Sequence, residues 1–290
     1  REIVINENHS YKDGKWHHIW HQSDLKTFEM CPERARKIWA GEVSDPESDA
    51  AVLGTACHNA VERLLLPADP ESYNHCYPVE RCEESYDLLH DYFEQELTEL
   101  SPAIEKWNSY GSVDKMRSMG TSKLDAWYEE IYNGLTPMHV ELPFKKLLFE
   151  DDERVVHMEG RIDLIDSNLG IVDWKFPKRD YTRDKWQYDR WDVQSTVYSW
   201  AVDQMKGELK RDFEEHAMTF YVVHGKSGVS QMRIDRSPQD WEFLKRKVEA
   251  LSRLVERSDM EVWTLNDAGW WCSEKWAPCW HLCKGKETYG

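Results

Sequence analysis

Between residues 140 and 176 the spacing of apolar side chains shortens from a helical period to a period of two, in three successive runs. In HVELPFKKLLF, Val140, Leu142 and Phe144 alternate with Glu141 and Pro143. In VVHMEGRIDLID, Val156, Met158, Ile162 and Leu164 alternate with Glu159, Arg161 and Asp163; in IVDWKF, Val172, Trp174 and Phe176 alternate with Ile171, Asp173 and Lys175. Only Ser167, Asn168, Leu169 and Gly170 separate the last two runs, so they read as a β-hairpin. Helical patterns flank these strands on both sides, which makes the chain α/β rather than all-helical.

Upstream, Ser23 is placed to cap a short helix, and Cys31 precedes Pro32 at the start of a second. From Asp49 to Leu66, Leu53, Ala56, Ala60, Val61 and Leu64 form one apolar stripe, while His58 and Glu62 share another face. Segments of about 80 to 98 and 119 to 132 read as helices of an inserted region. Downstream, a helix of roughly 185 to 206 is expected with Trp186, Val193, Val197 and Ala201 inward, then a strand MTFYVV. Ser237 and Pro238 open a last helix with Trp241, Leu244, Val248, Leu251 and Val255 facing the core.

The hairpin also concentrates chemistry. Asp173 and Lys175, two apart on a strand, point the same way with about 7 Å between their Cα atoms, and the turn brings Asp163 alongside. Two converging carboxylates suit a hard divalent cation such as Mg²⁺, and an ammonium beside it suits a phosphate or an attacking water. Taken alone, the pair reads more simply as an exposed strand pair on a solvated face.

Charge and cysteine usage set further bounds. The 37 Lys and Arg against 54 Asp and Glu leave a net charge of −17, which excludes duplex nucleic acid or anionic membrane held by the whole surface. Basicity is local instead: KFPKRDYTRDKWQYDR gathers Lys175, Lys178, Arg179, Arg183, Lys185 and Arg190 with Tyr181, Trp186 and Tyr188 among them. No apolar run approaches the roughly 18 residues a membrane span needs, and REIVINENHSYKDGKW has no signal-peptide core, so a cytoplasmic location and no membrane partner are expected. Seven cysteines form a poor disulfide framework in such a compartment. Cys272, Cys279 and Cys283 crowd into WWCSEKWAPCWHLCKG, three thiols of a four-ligand site; a zinc site completed by His281 is one way to fill it. Cys57, Cys76 and Cys82 read as buried or free thiols.

GRIDLIDSNLGIVDWKF resembles the Asp, then Asp-x-Lys core of the PD-(D/E)XK nuclease superfamily. GTACHNAVE is similar to the GxxxHxxxE helix of its RecB-like branch, and Gln194 and Tyr198 in VQSTVYSWA to that branch's Q-x-x-x-Y element. Cys31 together with the three terminal cysteines resembles the subset stapled by a 4Fe-4S cluster, as in AddB-type repair nucleases and CRISPR-adaptation nucleases, although the spacing here, C-x6-C-x3-C, departs from that subset's usual C-x-x-C pair.

The resemblance implies a restriction-endonuclease-like core, a central mixed sheet flanked by helices, with an N-terminal extension over 1–22 and one nuclease domain over 23–290. Within that domain lie a helical insertion at about 67–135 and the cysteine cluster at 272–283. It implies that His58, Asp163, Asp173 and the Trp174 carbonyl bind Mg²⁺ or Mn²⁺, that Lys175 positions water, and that Gln194 and Tyr198, with Gln187 and Trp191 on the same face, border the site. Glu141 is a further acidic candidate or an ordinary edge-strand glutamate, and Glu62 orients His58 or pairs with a basic residue. It further implies that Cys31, Cys272, Cys279 and Cys283 hold the cluster, zinc being the competitor, and tie the two chain ends together. The expected activity is metal-dependent hydrolysis of DNA, on single strands or ends, with Lys178, Arg179, Arg183, Lys185, Trp186 and Arg190 contacting the substrate. The rival expectation is a nuclease fold that binds DNA ends without cutting. Domains of this type serve repair, recombination, phage replication and CRISPR adaptation, each with its own protein partners.

Overall fold

The computed structural model describes residues 3–66, 84–182, 192–209, 217–225, 228–257, 263–269, 271–274 and 277–284. They fall into two compact units. One comprises Arg1–Asp45, Phe144–Gly160 and Pro238–Gly290; the other comprises Pro46–Pro143 and Arg161–Ser237.

The second unit is built on the predicted hairpin. Strand β5 (Arg154–Asp166), whose residues from Arg161 onward belong here, pairs antiparallel with β6 (Gly170–Lys175) through Leu164 and Val172, Ile165 and Ile171, Asp166 and Gly170. β6 then pairs parallel with β7 (Ala217–His224), and β7 antiparallel with β8 (Gly228–Asp235), giving a mixed sheet. The turn is held by Asp166, whose Oδ1 accepts the amides of Asn168 and Leu169 at 2.8 and 3.0 Å, and Gly170 takes the φ of 75° the reversal needs.

The alternation expected of β6 vanishes on folding: Ile171 through Trp174 are all buried, because an inner strand covered by helices has no solvated face. α3 (Asp49–Leu65), α4 (Ser85–Leu100) and α5 (Val113–Glu130) share a core with Val172 and Trp174, and the whole expected α3 stripe is buried. α4 and α5 approach closely at Gly120, where a Cβ would overlap the Phe93 ring. α6 (Val193–Gln204) buries Val193, Val197 and Ala201 as expected, and the part of that helix expected before residue 192 lies outside the described residues. Asp192 is extended and accepts the Ser195 amide at 2.6 Å, an N-cap that fixes the helix start. A short helix α7 (Lys206–Leu209) follows.

In the first unit, β1 (Ile3–Asn6), β2 (His9–Lys12) and β3 (Lys15–Trp20) form an antiparallel meander, and β3 pairs parallel with Arg154–Met158 of β5. Hydropathy gave no signal for these strands, which are rich in His, Lys and Tyr. α1 (Gln22–Met30) is capped by His21 with Asp24 in a capping box, not by Ser23, which lies inside the helix. Cys31 sits at the junction of α1 with α2 (Pro32–Trp39), as expected. In α8 (Pro238–Arg257) Leu244, Val248 and Val255 are buried, but Ser252 replaces Leu251 innermost because its Oγ accepts Trp20 Nε1 at 3.0 Å; Trp241 and Leu251 are half-buried. A last short helix, α9, spans Trp280–Lys284. No helix among the described residues is long and apolar enough to cross a membrane.

Candidate active site

Continuing the β5–β6 register by one residue sets Asp163 across from Asp173, both buried. Lys175 Nζ lies 2.8 and 2.7 Å from the two oxygens of Asp173, and Gln194 Nε2 donates to Asp173 Oδ1 at 2.6 Å from the first turn of α6. α3 brings His58 Nε2 to 2.8 Å from Asp163 Oδ2.

Glu141 completes the cluster in a way its pattern did not show. Strand β4 (Pro137–Glu150) buries Val140 and Glu141 in succession, and Glu141 has φ 51°. A left-handed residue without a glycine's freedom costs of order 1–3 kcal/mol, and here it turns the expected outward carboxylate inward. Ligand atoms of His58, Glu141 and Asp163 all lie within 4.8 Å of one another, a spacing that a divalent cation can bridge. Asp173 stands beside that trio with its oxygens held by Lys175 and Gln194.

The electrostatics are those of an acid surplus. Burial, then Asp163 and Glu62, push Glu141 up to about 8. Burial and the Asp163 charge also raise Asp173, while Lys175 pulls against them. Burial raises Glu62 as well. For His58 burial favours the neutral ring, yet the Asp163 carboxylate outweighs it and holds the imidazole at about 9. Asp163 itself stays below the usual carboxylate range despite its burial, because His58 is next to it. Lys175 is likewise raised against its burial by Asp173 and Asp163, so it is a cation and not a free base near neutral pH. The trio of imidazole and two carboxylates, in a pocket with excess negative charge, fits Mg²⁺ or Mn²⁺.

Tyr198, one turn beyond Gln194, is buried, and burial together with Asp163 and Asp173 keeps its phenol protonated. The Trp174 indole is buried 5.8 Å from Trp127 and 6.1 Å from His58. Lys178 and Arg179 are exposed just after β6. Arg183, Lys185, Trp186 and Arg190, with Gln187 and Trp191, lie outside the described residues, as do Cys76 and Cys82.

Lys123 gave no sign of itself in the sequence. It is fully buried on α5, and its Nζ donates to the carbonyls of Phe176 and Pro177 at 2.7 and 2.8 Å, pinning the chain where it leaves Lys175; burial pushes the amine down to about 8. Within SKLDAWYEE it looks like any solvated helix lysine, since its burial comes from tertiary packing alone.

The first unit holds the other constellation. Cys31, Cys272, Cys279 and Cys283 line one cavity with Leu265 and Trp280. The Glu33 carboxylate accepts the Trp263 amide at 2.7 Å and Asn266 Nδ2 donates to the Met30 carbonyl at 2.9 Å, joining the segment before the terminal cysteines to the one around Cys31. His281 is half-exposed, with Nε2 3.8 Å from Glu274.

A solved structure of a candidate exonuclease from Eubacterium rectale has 14% identity to the chain, with 87% of this chain and 86% of that one covered and a TM-score of 0.50, a likeness of fold. No curated protein matches the chain. The family model described as the PD-(D/E)XK nuclease superfamily matches residues 20–284, a span that includes α3, the β5–β6 hairpin and α6. The chain belongs to the PD-(D/E)XK nuclease superfamily.

Proposed function

We propose that the protein is a metal-dependent deoxyribonuclease of the RecB-like branch, an exonuclease on single strands or DNA ends, with a structural 4Fe-4S cluster in its first unit. The observation that carries the catalytic reading is the joining of the His58, Glu141 and Asp163 trio to the Asp173 and Lys175 pair across one hairpin. His58, Glu141 and Asp163 would hold the cation, with Asp173 and the Trp174 carbonyl beside it. A divalent ion there supplies Lewis acidity toward a phosphoryl oxygen and a more acidic water.

The protein groups divide the remaining work. Lys175, kept protonated by Asp173, donates hydrogen bonds to the attacking water or a non-bridging phosphate oxygen and offsets the charge that builds up there. Gln194 fixes the Asp173 carboxylate, so Lys175 is aimed rather than free to swing. Tyr198, as a protonated phenol, is a donor on the same wall. Lys178 and Arg179 lie where a phosphate backbone would leave the site, and interleaved aromatics favour unpaired bases over duplex.

The cluster reading rests on four thiols from both ends of the chain facing one apolar-walled cavity. His281, the fourth ligand a zinc site would need, is outside that lining.

The test is anaerobically purified protein on end-labelled single- and double-stranded DNA with Mg²⁺ or Mn²⁺. Native protein is expected to shorten single strands from an end, and Lys175→Ala and Asp163→Ala to abolish it. Activity that survives both substitutions overturns the catalytic assignment. Visible thiolate-to-iron absorbance that is lost in Cys279→Ser supports the cluster, and a colourless protein with stoichiometric zinc rejects it.

A further inference from the structure

We infer that Trp107 is a stacking platform for one unpaired base of the DNA strand that runs into the Asp163, Asp173 and Lys175 site; this rests on the deoxyribonuclease reading above. Trp107 is a large aromatic that is 43% exposed, on the loop between α4 and α5. Such a residue on a slack loop would mean little, since scattered apolar exposure is ordinary. This loop is clamped on both sides of the tryptophan.

Before it, the amides of Glu105 and Lys106 donate to the Glu47 carbonyl at 2.9 and 3.0 Å, and the Asp49 amide donates to the Lys106 carbonyl at 2.9 Å. After it, the buried Asp49 carboxylate accepts the amides of Ser109, Tyr110 and Gly111 at 3.1, 2.6 and 3.0 Å. A carboxylate that fills itself with backbone donors holds the loop without presenting its own charge to solvent. Trp107 and Asn108 are left exposed at the tip.

The same loop is tied to the active site by two routes. Asp49 opens α3, the helix that carries His58 nine residues on, about 13 Å along the axis. Lys178 Nζ donates to the Ser109 carbonyl at 2.7 Å and lies 5.6 Å over the Tyr110 ring, and Lys178 is three residues past Lys175, at most about 10 Å of chain. Trp107 therefore stands beside the backbone-binding lysine, within about four nucleotides of the scissile phosphate, the short end of the site sizes single-strand grooves use. A base in duplex has both faces covered by its neighbours and cannot lie on the indole; an unpaired base can. The tryptophan thus gives a physical reason for preferring single strands.

The test is steady-state cleavage with Mg²⁺ of a short single-stranded oligonucleotide, a blunt duplex, and single strands with one abasic site moved along the sequence. Trp107→Ala is expected to raise KM for the single strand about 5- to 100-fold with kcat little changed, the cost of one lost base-stacking contact, while Trp107→Phe keeps most of the affinity. KM for the duplex is expected to stay as in the native protein. An abasic site at one position within about four nucleotides of the cut should reproduce the loss in native protein and add nothing in Trp107→Ala. Native cleavage with unchanged kinetics in Trp107→Ala, or abasic losses that add to the substitution at every position, overturns the inference and leaves the nuclease reading intact. Native protein that neither cleaves nor binds DNA overturns both.

Discussion

Charged side chains in the cores of the two units use the same residue types toward opposite ends. In the first unit Arg36 forks onto Glu33 at 2.9 Å through two nitrogens and reaches Glu42 at 2.7 Å, with Lys37 2.9 Å from Glu42. Arg154 does the same between Glu256 at 2.6 and 2.8 Å and Asp151 at 3.2 Å, and His18 sits 3.1 Å from Glu256. Every carboxylate there has a guanidinium, and the arginine and its partners hold Glu33 below its ordinary range against burial. In the second unit Glu62, Glu141, Asp163 and Asp173 are met by Lys175, the His58 ring and the exposed Arg161, whose Nε is 3.9 Å from Glu141, yet three of the four carboxyls are driven up instead of down. Self-neutralised charge is architecture. Carboxyls crowded until they raise one another suit a divalent cation, which would take up the charge they cannot share.

That contrast can be broken in four places. The largest effect is expected at the site: Asp163→Asn or Lys175→Ala should lower kcat at least about 10²–10³-fold in the DNA-cleavage assay, the range for removing one preorganised charged group, with the melting temperature little changed or raised. In the first unit the pattern reverses. Arg154→Ala strands Glu256 and Asp151 and should cost about 3–5 kcal/mol in chemical denaturation, while molecules that remain folded cleave as the native protein does.

A smaller effect follows from pH. Glu141, raised to about 8 in the folded chain, binds a proton that the unfolded chain gives up from about 4.5, so its contribution to stability falls as pH rises through 8. His58, raised to about 9, contributes stability below its unfolded value of about 6.5 that is lost as pH rises through 9. Both slopes have the same sign. In chelator, stability should decline by a few kcal/mol between pH 5 and 9, Glu141→Gln should flatten the part below pH 8, and Mg²⁺ or Mn²⁺ should restore the loss while displacing protons. Scanning calorimetry across pH reads all three. The smallest effect is expected at Lys123→Met, which leaves the Phe176 and Pro177 carbonyls without their donor: a loss of about 1–3 kcal/mol on denaturation, with kcat falling more than KM changes because the exit from Lys175 is loosened.

What could be seen in the sequence tracks how local its cause is. Asp163, Asp173 and Lys175 were visible because a two-residue period and a four-residue turn fix their register without help from the rest of the chain. His58 and Gln194 followed from helical spacing and resemblance. Glu141 was half-visible: its strand was evident, but the left-handed backbone that turns it inward breaks the very alternation used to read it. Lys123, Ser252 and the Trp107 clamp were invisible, since each depends on a partner far away in the chain, respectively Phe176, Trp20 and Asp49. The cap of α6 is decided by a single aspartate, Asp192, which an apolar stripe does not report. β8 and the first three strands carry too little apolar alternation to announce themselves.

The cation site itself can be titrated. Mn²⁺ added to metal-free protein at pH 8 and followed by electron paramagnetic resonance should show one bound ion per chain with nuclease activity appearing in step, and Asp163→Asn should lose both. Mn²⁺ uptake that is unchanged in Asp163→Asn, or full activity with no ion bound, would contradict the assignment of His58, Glu141 and Asp163 as a cation site.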